Sequence, residues 1–245
     1  MGRLIYIPAP GGIPYTYTKS LDLDGVNEYV NFGDQSAMDG VGAFSLAVWV
    51  KFGATGTGTI FSKVASSGTP AGWQLIKDGA NRLRFQLADG TGAINVFTTE
   101  TFSTGTWYLV GASTDGATAA GTTLYINGSA GTMNTTLDTL SGSVLNTTGV
   151  RVGARGDGVY LDGKVFAAGF YSGSLSGANW ASIAALSPKD LSAGPGTLIF
   201  YPRFGNDPLD DATGGTGVIK DRVGGFDGTP MNTESGDIIT DAPTP

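Results

Sequence analysis

With 245 residues, 40% of them hydrophobic, the chain can bury one large core; with only 14% charged and 40 glycines, its surface must be covered by Ser, Thr, Asn and Gly. The formal net charge is −7 and no run of Lys and Arg stands out, which argues against nucleic-acid partners and anionic membrane surfaces. Cysteine and histidine are absent, which removes thiol nucleophiles, disulfides, the usual zinc ligands and every histidine-based catalytic triad.

Residues 1–18 form an N-terminal arm in which Pro8, Pro10, Gly11, Gly12 and Pro14 alternate with Ile5, Tyr6, Ile7, Tyr15 and Tyr17. Pro and Gly at this density cannot build a sheet interior. The arm reads either as an edge strand and loop lying on the domain or as a segment that docks on a neighbouring subunit through those five apolar side chains. It holds no apolar stretch of signal-peptide length, and nowhere does the sequence reach the ~20 apolar residues of a membrane span, so neither a signal peptide nor membrane insertion is expected.

Strands follow at 20–24 and 29–32, flanking the turn Gly25-Val26-Asn27-Glu28. In 43–52, Phe44, Leu46, Val48, Val50 and Phe52 share one face while Ser45, Ala47, Trp49 and Lys51 share the other, the clearest alternation in the chain. Further strands are predicted at 59–63, 72–77, 82–87 and 93–98, spaced by Gly-rich or Asp-Gly turns in the rhythm of a sandwich or barrel. A hairpin over 107–128 comes next. Its first arm is apolar on both faces, with Trp107 and Leu109 on one and Tyr108, Val110 and Ala112 on the other, the pattern of a central strand. Asp115-Gly116 and Asn127-Gly128 supply its turns. Strands at 150–154 and 162–171 flank a turn at Arg155-Gly156-Asp157-Gly158; a helix capped by Ser176 carries Trp180, Ile183 and Ala184 on one face and ends before Pro188. A last strand is predicted at 197–204. The organisation expected is thus an arm at 1–18, one β-sandwich at 19–205, and a loop-rich C-terminal extension at 206–245 packed on the sandwich.

The runs Ser20-Leu21-Asp22-Leu23-Asp24-Gly25-Val26-Asn27-Glu28-Tyr29-Val30, Phe44-Ser45-Leu46-Ala47-Val48-Trp49-Val50-Lys51, Ile60-Phe61-Ser62-Lys63, Trp107-Tyr108-Leu109-Val110, Leu124-Tyr125-Ile126-Asn127-Gly128 and Leu161-Asp162-Gly163-Lys164-Val165 occur in an order that resembles the concanavalin A-like, laminin G-like jelly-roll superfamily, over about 19–175. That resemblance implies an all-β, two-sheet antiparallel sandwich with one short helix. The tail, at 221–232 and 238–243, looks like the C-terminal segment of laminin G-like proteins of tailed bacteriophages. It implies a non-enzymatic structural component of the virion, a head decoration or a tail or fibre protein, assembled in the host cytoplasm and anchored through its termini. Its partners would then be other virion proteins and itself, as a trimer, with Ile5, Tyr6, Ile7, Tyr15 and Tyr17 as docking residues.

The same superfamily houses glycosidases and lectins. The retaining endo-glucanases of the fold carry a Glu-x-Asp-x-x-Glu strand; this chain has only Glu28, Glu100 and Glu234, none in such a strand, so no catalytic residue and no enzyme is expected. No cofactor is required, although relatives hold calcium through Asp and Asn, and Asn206, Asp207, Asp210 and Asp211 form the densest oxygen cluster for such an ion. Arg155-Gly156-Asp157 spells an integrin-binding tripeptide but reads as a hairpin turn. The alternative function is a lectin-like adhesion module for cell-surface glycan, with Trp49 and Trp73 as the candidate stacking platforms.

Overall fold

The structure, a computed structural model, describes residues 17–244. Its strands, in chain order, are β1 (Ser20–Asp24), β2 (Tyr29–Asn31), β3 (Phe44–Phe52), β4 (Gly58–Lys63), β5 (Gly72–Lys77), β6 (Arg82–Ala88), β7 (Ala93–Thr101), β8 (Trp107–Thr114), β9 (Thr123–Ile126), β10 (Ser129–Ala130), β11 (Met133–Asp138), β12 (Arg151–Val152), β13 (Asp162–Ser172), β14 (Thr197–Phe200), β15 (Thr229–Met231) and β16 (Ile238–Ile239). They form two antiparallel sheets. The first runs β10-β9-β8-β3-β13-β1-β16, with β14 on the far end of β13; the second runs β11-β7-β6-β5-β4-β12-β2-β15. This is the all-β sandwich expected.

The alternation in β3 explains why the sheets face each other. Phe44, Leu46, Val48, Val50 and Phe52 point between the sheets and meet Phe61, Trp73, Leu75, Phe85 and Val96 of the second sheet in one continuous core. β8, paired to β3 on one side and β9 on the other, is the central strand its two apolar faces require: Val110 and Ala112 enter that main core, while Leu109 enters a second, smaller core on the outer side of the first sheet. Helix α1 (Gly177–Ala184) covers this second core, seating Trp180 and Ile183 over Trp49, Tyr125 and Tyr171. Ser176 caps it as expected, its Oγ accepting from Asn179 N–H while the Asn179 side chain accepts from Ser176 N–H. Asn127 and Gly128, at φ 50° and 84°, make the tight turn between β9 and β10.

The tail is more than a layer on the sandwich. After β14 the chain leaves the sheet and is held by isolated bridges, Pro202 to Asp221 and Ile219 to Gly228 among them. It then returns twice: β15 pairs with β2 to close one edge of the second sheet, and β16 pairs with β1 to close one edge of the first. Past β16, Asp241 bridges Lys51 and Lys164 on the outer side of the first sheet and accepts from Trp107 Nε1 at 3.1 Å.

Candidate functional site

The second sheet has a core-facing side and an outer side, and the outer side carries the polar half of each strand's alternation. Following the register from strand to strand, Leu137, Asn95, Gln86, Gln74, Ser62, Arg151, Asn31 and Thr229 lie directly opposite one another, one from each of the eight strands. A second row beside it runs Asn134, Phe97, Arg84, Ile76 and Thr59. Two transverse rows of polar side chains interrupted by aromatic and apolar ones result, because β5, β6 and β7 each send Leu, Phe, Trp, Ile or Val inward at every second residue.

The centre of the first row is internally bonded. Arg155 Nη1 donates to Gln74 Oε1 at 3.2 Å, Gln74 Nε2 to Gln86 Oε1 at 2.6 Å, and Gln86 Nε2 to the carbonyl of Gly68 at 2.7 Å, so the loop 64–71 and the turn at 155–158 bridge this part of the face. Ser67 N–H, on the same loop, donates to Asp157. The flanks differ. Arg84 Nε, Asn95 Oδ1 and Arg151 Nη1 are shielded from solvent and have no hydrogen-bond partner, a cost of about 1–3 kcal/mol each unless something supplies one. Aromatic rings stand beside them: the guanidinium carbons of Arg82 and Arg84 lie 4.1 and 5.6 Å from the centre of the half-buried Phe97 ring, and that of Arg151 lies 5.9 Å from Tyr29, whose ring is 6.2 Å from Tyr160. Tyr160 also lines a cavity of about 230 Å³ with Gly25, Thr57, Gly58, Lys77 and Asp162.

The two tryptophans expected as glycan platforms are elsewhere. Trp73 is 0% exposed in the main core, its Nε1 donating to the carbonyl of Met38 at 2.6 Å and its ring against Phe61, Phe44 and Phe170. Trp49 is 6% exposed in the second core, beneath the segment carrying Lys189, whose ammonium lies 5.5 Å from the ring. Neither offers a face to a sugar. The polar company of Trp49 in sequence reflects a sheet side that the helix covers, and of the glycines before Trp73 the exposed Gly68 lies on the loop while Gly72 opens β5, which carries Trp73 inward.

The oxygen cluster suggested for calcium is likewise engaged by donors of the protein. Asn206 Oδ1 accepts from Thr18 and Lys19 N–H, Asp207 binds Arg222, Asp210 accepts from Gly205, Asp207 and Lys220 N–H, and Asp211 from Thr213. Among the described residues no group of three acidic side chains is arranged to hold a metal. Burial, only partly offset by those N–H groups, pushes the Asp210 carboxyl up to about 6. Of the docking residues, Ile5, Tyr6, Ile7 and Tyr15 lie outside the described residues; Tyr17 is half-buried on this chain, its hydroxyl donating to Asp190 at 2.6 Å. Arg155 and Asp157 are ion-paired to each other across the expected turn.

Sequence reasoning missed Arg84, Asn95, Phe97, Arg151, Tyr29 and Tyr160, which only strand register brings together. The signal available was the alternation in 82–87 and 93–98, where Arg84, Gln86, Asn95 and Phe97 fall on the face opposite Phe85, Leu87, Ile94 and Val96.

Three solved structures illustrate what this architecture is similar to. A putative carbohydrate binding protein from Bacteroides ovatus superposes with a TM-score of 0.57 at 18% identity, covering 89% of this chain and 59% of that one. Domain 4 of the arabinanase AbnA from Geobacillus stearothermophilus, in complex with arabinotriose, gives 0.53 at 19% identity over 75% of this chain and 82% of that one. The CBM40 of a Ruminococcus gnavus sialidase, bound to α2,3-sialyllactose, gives 0.53 at 12% identity over 69% and 100%. No curated protein matches the sequence. The family model for the concanavalin A-like lectin/glucanases superfamily matches residues 24–179, well over half of the chain, and the protein belongs to that superfamily.

Proposed function

We propose that this protein is a non-catalytic carbohydrate-binding module whose ligand lies across the outer face of the second sheet. The observation that carries the reading is the pair of transverse rows, in which Arg84, Asn95 and Arg151 hold polar atoms without partners beside Phe97, Tyr29 and Tyr160. Sugar hydroxyls can pair with the solvent-facing polar groups of these half-buried side chains while the C–H face of the ring packs on an aromatic side chain. The ligands held by two similar structures, arabinotriose and α2,3-sialyllactose, support the class of ligand without identifying it. A hydrolase would need two carboxyls flanking one bond, whereas Glu28 accepts from Asp24 N–H within the turn after β1 and Glu100, on β7, accepts from Thr132 N–H on the segment entering β11. Affinity measured on a panel of polysaccharides should show binding that falls roughly tenfold in Phe97→Ala and Tyr29→Ala; a panel without a single binder would sink the reading.

Display on a phage particle is the second reading. It is supported by the resemblance of 221–232 to phage laminin G-like tails and by the way Asn206 and Asp190 hold residues 17–19, where the arm of the sequence meets the domain. The two readings are compatible, since a displayed module can adhere. In this reading the module assembles with other virion proteins and with itself. Particles made with residues 2–18 deleted should lack the protein, and normal incorporation of that deletion would overturn the anchoring role.

A further inference from the structure

We infer that the glycan bound on the outer face of the second sheet is acidic, an oligosaccharide carrying carboxylates, rather than neutral; this rests on the carbohydrate-binding reading of that face. The chain has seven arginines, and four of them converge here although they are scattered in sequence: Arg82 and Arg84 at the Phe97 ring, Arg151 at Tyr29, and Arg155 at Gln74. Their carboxylate partners do not balance them. Asp157 pairs with Arg155, and Asp78 receives both Nε and Nη2 of Arg82 at 3.0 and 2.8 Å while reaching Arg84 Nη2 only at 3.7 Å. Among the described residues Arg151 has no carboxylate within ion-pair distance, and neither its side chain nor that of Arg84 donates a hydrogen bond. A guanidinium offers a planar fork of N–H groups whose geometry matches a carboxylate. A half-buried one is poorly screened by water, so the attraction is stronger than at an open surface.

Charge makes the same point. On a protein of net charge −7, a local excess of two positive charges is against the trend of the composition and favours an anion at this face. Position separates the two forks. Arg84 on β6 and Arg151 on β12 are three strand steps apart, roughly 15 Å, and Ser62, Gln74 and Gln86 between them are buried beneath the bridging loop and turn, so each fork takes a carboxylate of its own.

The test is calorimetric titration of the full chain with oligogalacturonide, with the same oligosaccharide as its methyl ester, with neutral arabino-oligosaccharide, and with a sulfated heparin fragment. The expected result is binding of the acid, weakened by added NaCl, with the ester and the neutral sugar weaker by roughly tenfold or more. Arg151→Gln and Arg84→Gln should each lose a similar factor; circular dichroism checks their folding, and Arg151→Lys, which keeps the charge and removes the fork, should recover only part of the affinity. Equal binding of acid and ester, or preference for the neutral sugar, overturns the inference and leaves the carbohydrate-binding reading standing. Preference for the sulfated fragment overturns the assignment to carboxylate. Binding of none of the four overturns the inference.

Discussion

At position 111 a hydrogen is all the space allows. A Cβ there would lie about 2 Å from the carbonyl oxygen of Leu46 and from the Trp180 ring, because helix α1 lays that indole flat against β8. The ring stacks on Tyr125 with centroids 4.8 Å apart, and its Nε1 donates to Ser113 Oγ at 2.8 Å, which in turn bonds Ser45 Oγ. Gly111→Ala should therefore lift the helix off the sheet and lower stability by about 1–3 kcal/mol in denaturant unfolding, while Trp73→Ala, which empties the centre of the main core, should cost about 3–5 kcal/mol. Single residues were also where reading the sequence went furthest astray. Trp49 and Trp73 are large aromatics beside polar or glycine neighbours, the pattern of a sugar platform, yet local sequence carries no information about the helix that covers one or the opposing sheet that buries the other. Phe97 and Tyr29, which do face outward, look like ordinary strand residues until their partners across the sheet are known.

Elements with a strong period were legible. β3, β5, β6, β8 and β13 lie within a residue or two of their expected bounds, since each alternates or is apolar on both faces, and the helix declares itself by Ser176 and the spacing of Trp180 and Ile183. β11, β15 and β16 were not: the first is an exposed edge of Asn, Thr and Asp, the second contains Pro230, and the third is two residues long. The tail's hold on the sandwich shows in its chemistry. Burial raises the Asp241 carboxyl, but hydrogen bonds from Lys51, Lys164 and Trp107 outweigh it and leave a value of about 2. Because the folded value lies below the ordinary one near 4, the stabilisation is fully present above pH ~4 and is lost as pH falls toward 2. Asp241→Asn should thus cost about 1–2 kcal/mol at pH 7, reduced from the full shift because the site is partly exposed. The gap between variant and wild type should close as unfolding is measured at progressively lower pH; a constant gap would mean that the carboxylate's charge is not what holds the tail.

For the whole molecule, the two returns of the tail make the fold less divisible than a sandwich with an extension laid on it. β15 and β16 supply the last strand at one edge of each sheet, so a chain ended at Gly228 loses both closures and the Asp241 bridges together. It should melt roughly 10 °C or more below the full chain, with weaker cooperativity; an unchanged melting curve would show that the edges are closed in some other way. The same scale explains what composition concealed. Net charge and the absence of a basic run describe the chain as uniformly acidic, and only the register of the strands, with the turn at 155–158 folded against Gln74, collects Arg82, Arg84, Arg151 and Arg155 on one side. That the outer face of the second sheet is the binding surface is tested most directly by titrating isotope-labelled protein with oligogalacturonide and following its backbone amide signals. Shifts confined to β4 to β7, β12, β2 and the bridging loop 64–71 are predicted; shifts at β8, β9 and helix α1, with the second sheet unmoved, would contradict it.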